Sequence, residues 1–304
     1  MRTVDDRIIL HGLWQRCKQG GTAADNRQQA QALYARGISM EETLQFLFHA
    51  RPDEDAFLSW IAARTRPLPP EALLPHKDVL TDAELRFWDE HGYLVLRHAV
   101  PQTQCLAAQA AIWDFLDASP DDPASWYKTH PGKRGLMLQF FDHPALAANR
   151  HSARIRRAYQ QLYGKQAIYA TVDKASFNPP ETANYRFMGS PLHWDTSLQQ
   201  PIPFKLQGML YLSDCPAGHG AFHCVPGFQH RIGDWLASVP PGQAPREWAI
   251  AHLQPVPVAG QAGDFIIWQQ ALPHCASANH GTLPRMVQYL TYLPEDGQDQ
   301  AIWI

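Results

Sequence analysis

The segment SPLHWDTSL, residues 190–198, places a histidine and an aspartate two positions apart among apolar and hydroxyl residues. In an extended chain residues i and i+2 project to one face, so His193 and Asp195 are expected side by side, with Trp194 on the other face. A neutral imidazole and a carboxylate aimed at one point supply two ligands for a metal ion. The third should be a histidine on a strand far along the chain. His274, in DFIIWQQALPHCASANHGTLPR, follows a buried-looking strand and a turn. Two histidines and one carboxylate on one face of an octahedron form the facial triad of non-heme Fe(II) oxygenases, with the opposite face open. An organic acid chelated there needs its far carboxylate held, and a planar two-pronged guanidinium does that best. Arg285 lies eleven residues after His274, at the start of RMVQYLTYL.

Four motifs stand in order: HWD, then GHGAFHCVPGFQHR, then GDFIIW, then His274 followed by Arg285. Together they resemble the phytanoyl-CoA dioxygenase (PhyH) family of Fe(II)/2-oxoglutarate-dependent oxygenases. LTDAELRFWDEHGYLVLRHAVP is similar to the opening of that family's domain, so the resemblance covers roughly residues 78–294. PGFQH stands where the family usually has PGSH, a change in a turn outside the triad. The resemblance implies a mainly β fold with flanking helices, built on a double-stranded β-helix (jelly roll, cupin-like). It implies that His193, Asp195 and His274 hold Fe(II) and form the catalytic centre, and that Arg285 binds 2-oxoglutarate. Lys174, in YATVDKASF, falls about where the family lines the 2-oxoglutarate pocket. The implied reaction consumes O2 and 2-oxoglutarate, releases succinate and CO2, and hydroxylates a small-molecule substrate, as in secondary metabolism. Related halogenases lack the carboxylate, so Asp195 points to hydroxylation, with desaturation or ring closure open to the same chemistry.

Composition narrows the partners. The chain has 304 residues, 45% hydrophobic and 18% charged, with a formal charge of -3 and no long basic run. Nucleic-acid binding through phosphate contacts is therefore not expected. No apolar run reaches membrane-spanning length, and MRTVDDRIILHGLW lacks the apolar centre of a signal peptide. The five cysteines, Cys17, Cys105, Cys215, Cys224 and Cys275, are odd in number and form no CxxC pair. A reducing, cytoplasmic setting follows as the expectation, without a disulfide framework or a cysteine zinc site.

The elements that must position these residues are partly visible. DNRQQAQALYARG starts on a good N-cap, Asp25, and ends at Gly37; SMEETLQFLFHA has Ser39 and Glu42 in capping-box spacing. PDEDAFLSWIAAR carries Phe57, Trp60 and Ile61 on one face, predicted to pack against the main domain, with a lid or a dimer contact as the lesser reading. The proline-rich RPLPPEALLPHKD (66–78) reads as a connection, which divides the chain into a helical region over 1–75 and the dioxygenase domain over 76–304. Thr81 and Glu84 open another capping box, YLVLRHAV reads as a strand, and QTQCLAAQAAIWDFLDA as a helix. From about residue 166 short β-rich runs follow: QAIYATVDKASFN, KLQGMLYLSD, GAFHCVPG, PVPVAG, GDFIIWQQ and RMVQYLTYL.

Plainer readings stand beside these. His219 and His223 could form a second metal pair, but the family's turn there is structural, with Gly220 and Gly227 for backbone freedom and Pro226 for the bend. Cys275 is a small buried side chain or an oxidation target. Trp194 and Trp268 are core residues before they are a substrate platform. The stretches 122–145 and 179–190 are expected at the mouth, with Tyr185 and Arg186 facing a polar substrate. Two other functions fit the same frame: a zinc hydrolase, which needs a general base and no carboxylate-binding arginine, and a non-catalytic jelly-roll binding protein.

Overall fold

The computed structural model describes residues 3–20, 26–66, 77–297, 300 and 303. Four short helices come first: α1 (Thr3–Lys18), α2 (Arg27–Tyr34), α3 (Met40–Ala50) and α4 (Glu54–Arg64). Helix α1 has no strong apolar periodicity and was not expected. The Ser39 side chain accepts from the Glu42 N–H and the Asp53 side chain from the Ala56 N–H, so α3 and α4 start on side-chain caps. Asp25, the expected cap of α2, lies outside the described residues. Leu10, Leu13, Leu33, Leu47, Phe57 and Ile61 bury together, with Trp60 stacked on Phe46 at 4.7 Å. The apolar face of α4 therefore packs into this helical cluster and not against the sheets, as its sequence had suggested. The four helices together have enough apolar surface to cover one another. Their links to the rest include polar ones, Glu41 to Lys174 at 2.6 Å, Gln45 to Gln139 at 2.7 Å and Arg66 to Asp142 at 3.1 Å, and the stacking of Tyr34 on Tyr169 with ring centroids 6.4 Å apart. Most of the expected connection, 67–76, lies outside the described residues.

Beyond it, α5 (Asp82–His91) opens on a complete Thr81–Glu84 capping box and stops at Gly92, whose φ of 72° needs no Cβ to be accommodated. Then follow β1 (Tyr93–Leu96), α6 (Gln102–Leu116), β2 (Lys133–Arg134), β3 (Met137–Leu138), α7 (Pro144–Arg150), α8 (Ala153–Tyr163), β4 (Ile168–Ala170), β5 (Ala175–Asn178) and β6 (Ser190–His193). The remainder is β7 (Leu206–Tyr211), β8 (Phe222–Cys224), α9 (Ile232–Ser238), α10 (Pro245–His252), β9 (Val256–Val258), β10 (Phe265–Gln269), β11 (His274–Ala276), β12 (Arg285–Tyr289) and β13 (Tyr292–Pro294). The fold is thus mixed helix and sheet, where a mainly β chain was expected.

All pairing is antiparallel. A seven-stranded sheet runs β1-β10-β7-β12-β5-β3-β2, a four-stranded sheet β6-β11-β8-β9, and β13 pairs with β4. Strand alternation splits the core in two. Phe265, Ile267, Leu206, Leu210 and Met286 face one cluster with Ile112, Leu146, Ile155 and Tyr159 of α6, α7 and α8. Ile266, Trp268, Met209, Tyr211 and Val287 face the other, shared with Leu192, Phe222 and Cys224 of the smaller sheet. Being buried on both faces, β10 shows no polar alternation in its sequence. QAIYATVDKASFN and RMVQYLTYL each break into two strands. The breaks face each other, the Thr171 N–H donating to the Thr291 carbonyl at 2.8 Å. The Gly-Asp motif before β10 is structural. Asp264 is fully buried and accepts from Arg97 (2.6 Å), His98 N–H (3.1 Å) and Gln261 N–H (2.9 Å), tying the end of β1 to the turn. No described helix is long and apolar enough to cross a membrane.

Candidate active site

His193 ends β6, His274 begins β11, and the two are direct partners across the antiparallel pair. Opposed side chains on one face lie close, and the imidazole centroids are 4.5 Å apart. Asp195 sits in the bend after β6 and not in the strand itself. It still returns to the histidines: Oδ1 is 3.5 Å from His193 Nε2, and Oδ2 is 3.3 Å from His274 Nε2. Trp194 turns away into the core, its ring tilted against Phe228 and Trp235 and its Nε1 donating to the Ala271 carbonyl at 2.9 Å. The three ligand atoms lie within 4.8 Å of one another, and among the described residues no other such group of three metal-ligating side chains converges. His219 and His223 form none; Gly220 and Gly227 do adopt φ of 80° and 73°.

The hydrogen bonds suit a cation at the centre. His193 Nδ1 is 2.7 Å from the Pro191 carbonyl and His274 Nδ1 is 3.2 Å from the Leu272 carbonyl. A carbonyl only accepts, so each Nδ1 carries the proton and each Nε2 presents a lone pair. Those lone pairs face Asp195, which also only accepts. Three acceptors turned toward one point need a proton or a metal ion between them. With a proton there, His193 Nε2 donates to the Asp195 carboxylate, and that bond raises the His193 pKa above its ordinary value, against its burial. Burial opposes the charge on Asp195, yet its bonds to His193, His274 and Gln207 hold the carboxyl well below the usual range. A divalent metal ion fits this donor set.

Asp195 is fixed from two sides. Gln207 Nε2 donates to Asp195 Oδ2 at 2.8 Å. The Gln207 amide cannot turn over, because Trp268 Nε1 donates to its Oε1 at 3.1 Å and an indole has no acceptor. Arg246 donates to the carbonyls on either side of the aspartate, Trp194 at 2.8 Å and Thr196 at 2.7 Å.

The triad opens on a cavity of about 290 Å3 walled by Met209, Phe222, Trp268 and Tyr289, among others, with Arg285 also in its lining. The Arg285 side chain is 2% exposed, its Nη1 reaches Ser176 Oγ at 3.4 Å, and its Nε has no hydrogen-bond partner. No carboxylate pairs with it among the described residues. A buried cation without a counter-charge costs several kcal/mol on the order given for broken buried pairs, about 3–5. A Cβ at Gly220 would meet Asn178 Nδ2 at 2.6 Å and Arg285 Cδ at 3.3 Å, so glycine there leaves the guanidinium its room.

Lys174 lines the same cavity, but its ammonium is taken by Glu41 of α3. Leu136 and Met137 bring the 122–145 stretch to the lining; Tyr185 and Arg186 are not part of it, and Arg186 pairs with Glu181 at 3.4 Å. Cys275 lines the cavity with its thiol pushed up to about 11 by burial, which leaves little thiolate for oxidation. Trp268 is both core and cavity wall. Gln207, Arg246, Ser176 and Tyr289 escaped the sequence reading. Alternation along β7 and β12 would have placed Gln207 and Tyr289 on the inner face; nothing in the sequence marks Arg246.

The sequence model of the phytanoyl-CoA dioxygenase (PhyH) family matches residues 88–287. A Dictyostelium discoideum protein that carries the phytanoyl-CoA dioxygenase name is 19% identical over 259 residues, 68% of this chain and 74% of that protein. Among solved structures, the α-ketoglutarate-dependent carbocyclase SnoK from nogalamycin biosynthesis is 20% identical with a TM-score of 0.50, covering 73% of this chain and 87% of its own. AviO1 from Streptomyces viridochromogenes aligns at 16% identity and a TM-score of 0.53, over 73% and 98% of the two chains. The epimerase SnoN, solved with Fe3+, α-ketoglutarate and a nogalamycin ligand, aligns at 16% identity and 0.51, over 70% and 83%.

Proposed function

The chain belongs to the phytanoyl-CoA dioxygenase family of non-heme iron, 2-oxoglutarate-dependent enzymes, and we propose that it hydroxylates an unactivated C–H bond of a small molecule in secondary metabolism. In this reading the two facing sheets are the double-stranded β-helix of the family, preceded by the helical region over 1–75. His193, Asp195 and His274 hold Fe(II) through their inward-facing nitrogen and oxygen atoms. Arg285 binds the distal carboxylate of 2-oxoglutarate. The observation that carries the reading is Arg285 itself, a buried guanidinium without an acid partner in the cavity that the His-Asp-His group opens on.

Each side chain has a definable task. The Nδ1–H bonds to the Pro191 and Leu272 carbonyls keep both Nε2 atoms free to ligate. Gln207 engages one oxygen of Asp195 and leaves the other to the metal. Phe222, Trp268 and Met209 line an apolar wall that excludes bulk water from the oxidising centre. Lys174, held by Glu41, borders the cosubstrate space as part of that wall. When bound, iron and 2-oxoglutarate together supply the oxidising power, releasing succinate and CO2 as oxygen enters the substrate.

The test is turnover of 2-oxoglutarate by the Fe(II)-loaded protein under air. Succinate should form in the wild type and be lost in His274→Ala. Retained zinc with ester or amide hydrolysis, and no succinate, would favour the hydrolase. A protein that consumes neither substrate class would be the binding protein.

A further inference from the structure

Arg246 is the second residue of α10, far in sequence from the proposed metal ligands, yet it reaches the bend that carries Asp195. Its two terminal nitrogens bond the carbonyls of Trp194 and Thr196, at 2.8 and 2.7 Å, so one rigid fork spans the aspartate's own residue. A guanidinium suits this because its donors are coplanar and fixed in spacing; an ammonium presents a single point. The same bend is held from outside by Gln300. Gln300 Oε1 accepts from Thr196 Oγ1 at 2.8 Å, and Gln300 Nε2 donates to the carbonyls of Ser197 and Gln199 at 3.2 and 2.7 Å. The Trp303 ring lies 5.3 Å from the Arg246 guanidinium carbon.

The position matters because Asp195 has left the strand. His193 and His274 are set by ladder pairing, but Asp195 sits two residues beyond the last paired position and needs another support. Gln207 holds its carboxylate, while Arg246 bonds the backbone carbonyls that flank it and Gln300 those of Ser197 and Gln199. We infer that Arg246 is a positioning residue for Asp195, and that Gln300 and Trp303 complete a brace that tunes affinity for the metal. This rests on the iron-site reading above.

The experiment is an anaerobic calorimetric titration with Fe(II) alone, in wild type, Arg246→Ala, Arg246→Lys and Trp303→Ala, beside thermal melts of the apoproteins. Arg246→Ala should weaken Fe(II) binding by about tenfold or more, as changes around metal ligands do. Arg246→Lys should lose most of that affinity despite keeping the charge, and Trp303→Ala should lose less. At saturating iron the KM for 2-oxoglutarate, set by Arg285, should stay unchanged. Where Arg246→Ala fails to fold, Arg246→Lys carries the test. Fe(II) affinity equal to wild type in the folded variants, with or without a lower melting temperature, would overturn the brace and leave the oxygenase reading standing. A wild type that binds no Fe(II) would overturn both.

Discussion

At the scale of single residues, the site places a charge where folding alone would not. Arg285 is buried without an acid, so replacing it with an apolar side chain of similar length removes a desolvation cost. Arg285→Met is therefore expected to melt no lower than wild type as apoprotein, while 2-oxoglutarate affinity falls by about 100-fold, the 2–5 kcal/mol range of a truncated buried charge contact. Melting curves with and without the cosubstrate check both halves. A variant that melts well below wild type would mean that Arg285 is structural. Gly220→Ala is expected to act through the same guanidinium. At φ of 80°, and with Asn178 Nδ2 at 2.6 Å from the new Cβ, the backbone must shift. A higher KM for 2-oxoglutarate with an unchanged Fe(II) requirement is the expected result.

At the scale of elements, local chemistry is legible where it is self-contained. The α5 capping box and the Gly92 stop follow from Thr81, Glu84 and Gly92 alone. Thr81→Ala should accordingly cost about 1 kcal/mol in denaturant unfolding and leave the site untouched. Asp264→Ala should cost more, on the order of 2–4 kcal/mol, because the fully buried carboxylate's bonds to the half-buried N–H groups of His98 and Gln261 and to Arg97 are lost together. The triad residues and Arg285 were legible as types at a spacing, since a strand pair brings His193 and His274 together by register. What the sequence could not reveal depends on distant contacts. The position of Asp195 in a bend, the Arg246 fork and the Glu41 partner of Lys174 each join segments with no shared pattern. Helix α7, seven residues long, gives too short a pattern to read, whereas α8 was legible from its Ser152 cap, its amphipathic face and its Gly164 stop.

At the scale of the whole molecule, two cores are separate in composition. The helical cluster around Phe57 shares no buried residue with the clusters on either face of the large sheet, and polar contacts and the Tyr34–Tyr169 stack connect the helical region to the rest. If residues 1–75 and 76–304 are distinct units, Phe57→Ala should remove about 3–5 kcal/mol from the first alone. Limited proteolysis should then cut the helical region while Fe(II) binding persists. Loss of Fe(II) binding together with the helices would mean one cooperative unit, with the Glu41–Lys174 contact as a route between them.

The central claim is that the His193-Asp195-His274 group and Arg285 form one cofactor site. Its most direct measurement is an anaerobic titration of apoprotein with Fe(II) and then 2-oxoglutarate, following the visible charge-transfer band of the chelate. The account expects a band in wild type, none in Asp195→Ala, and in Arg285→Ala a band that needs far more 2-oxoglutarate. No band in wild type, or equal bands in all three proteins, would contradict it.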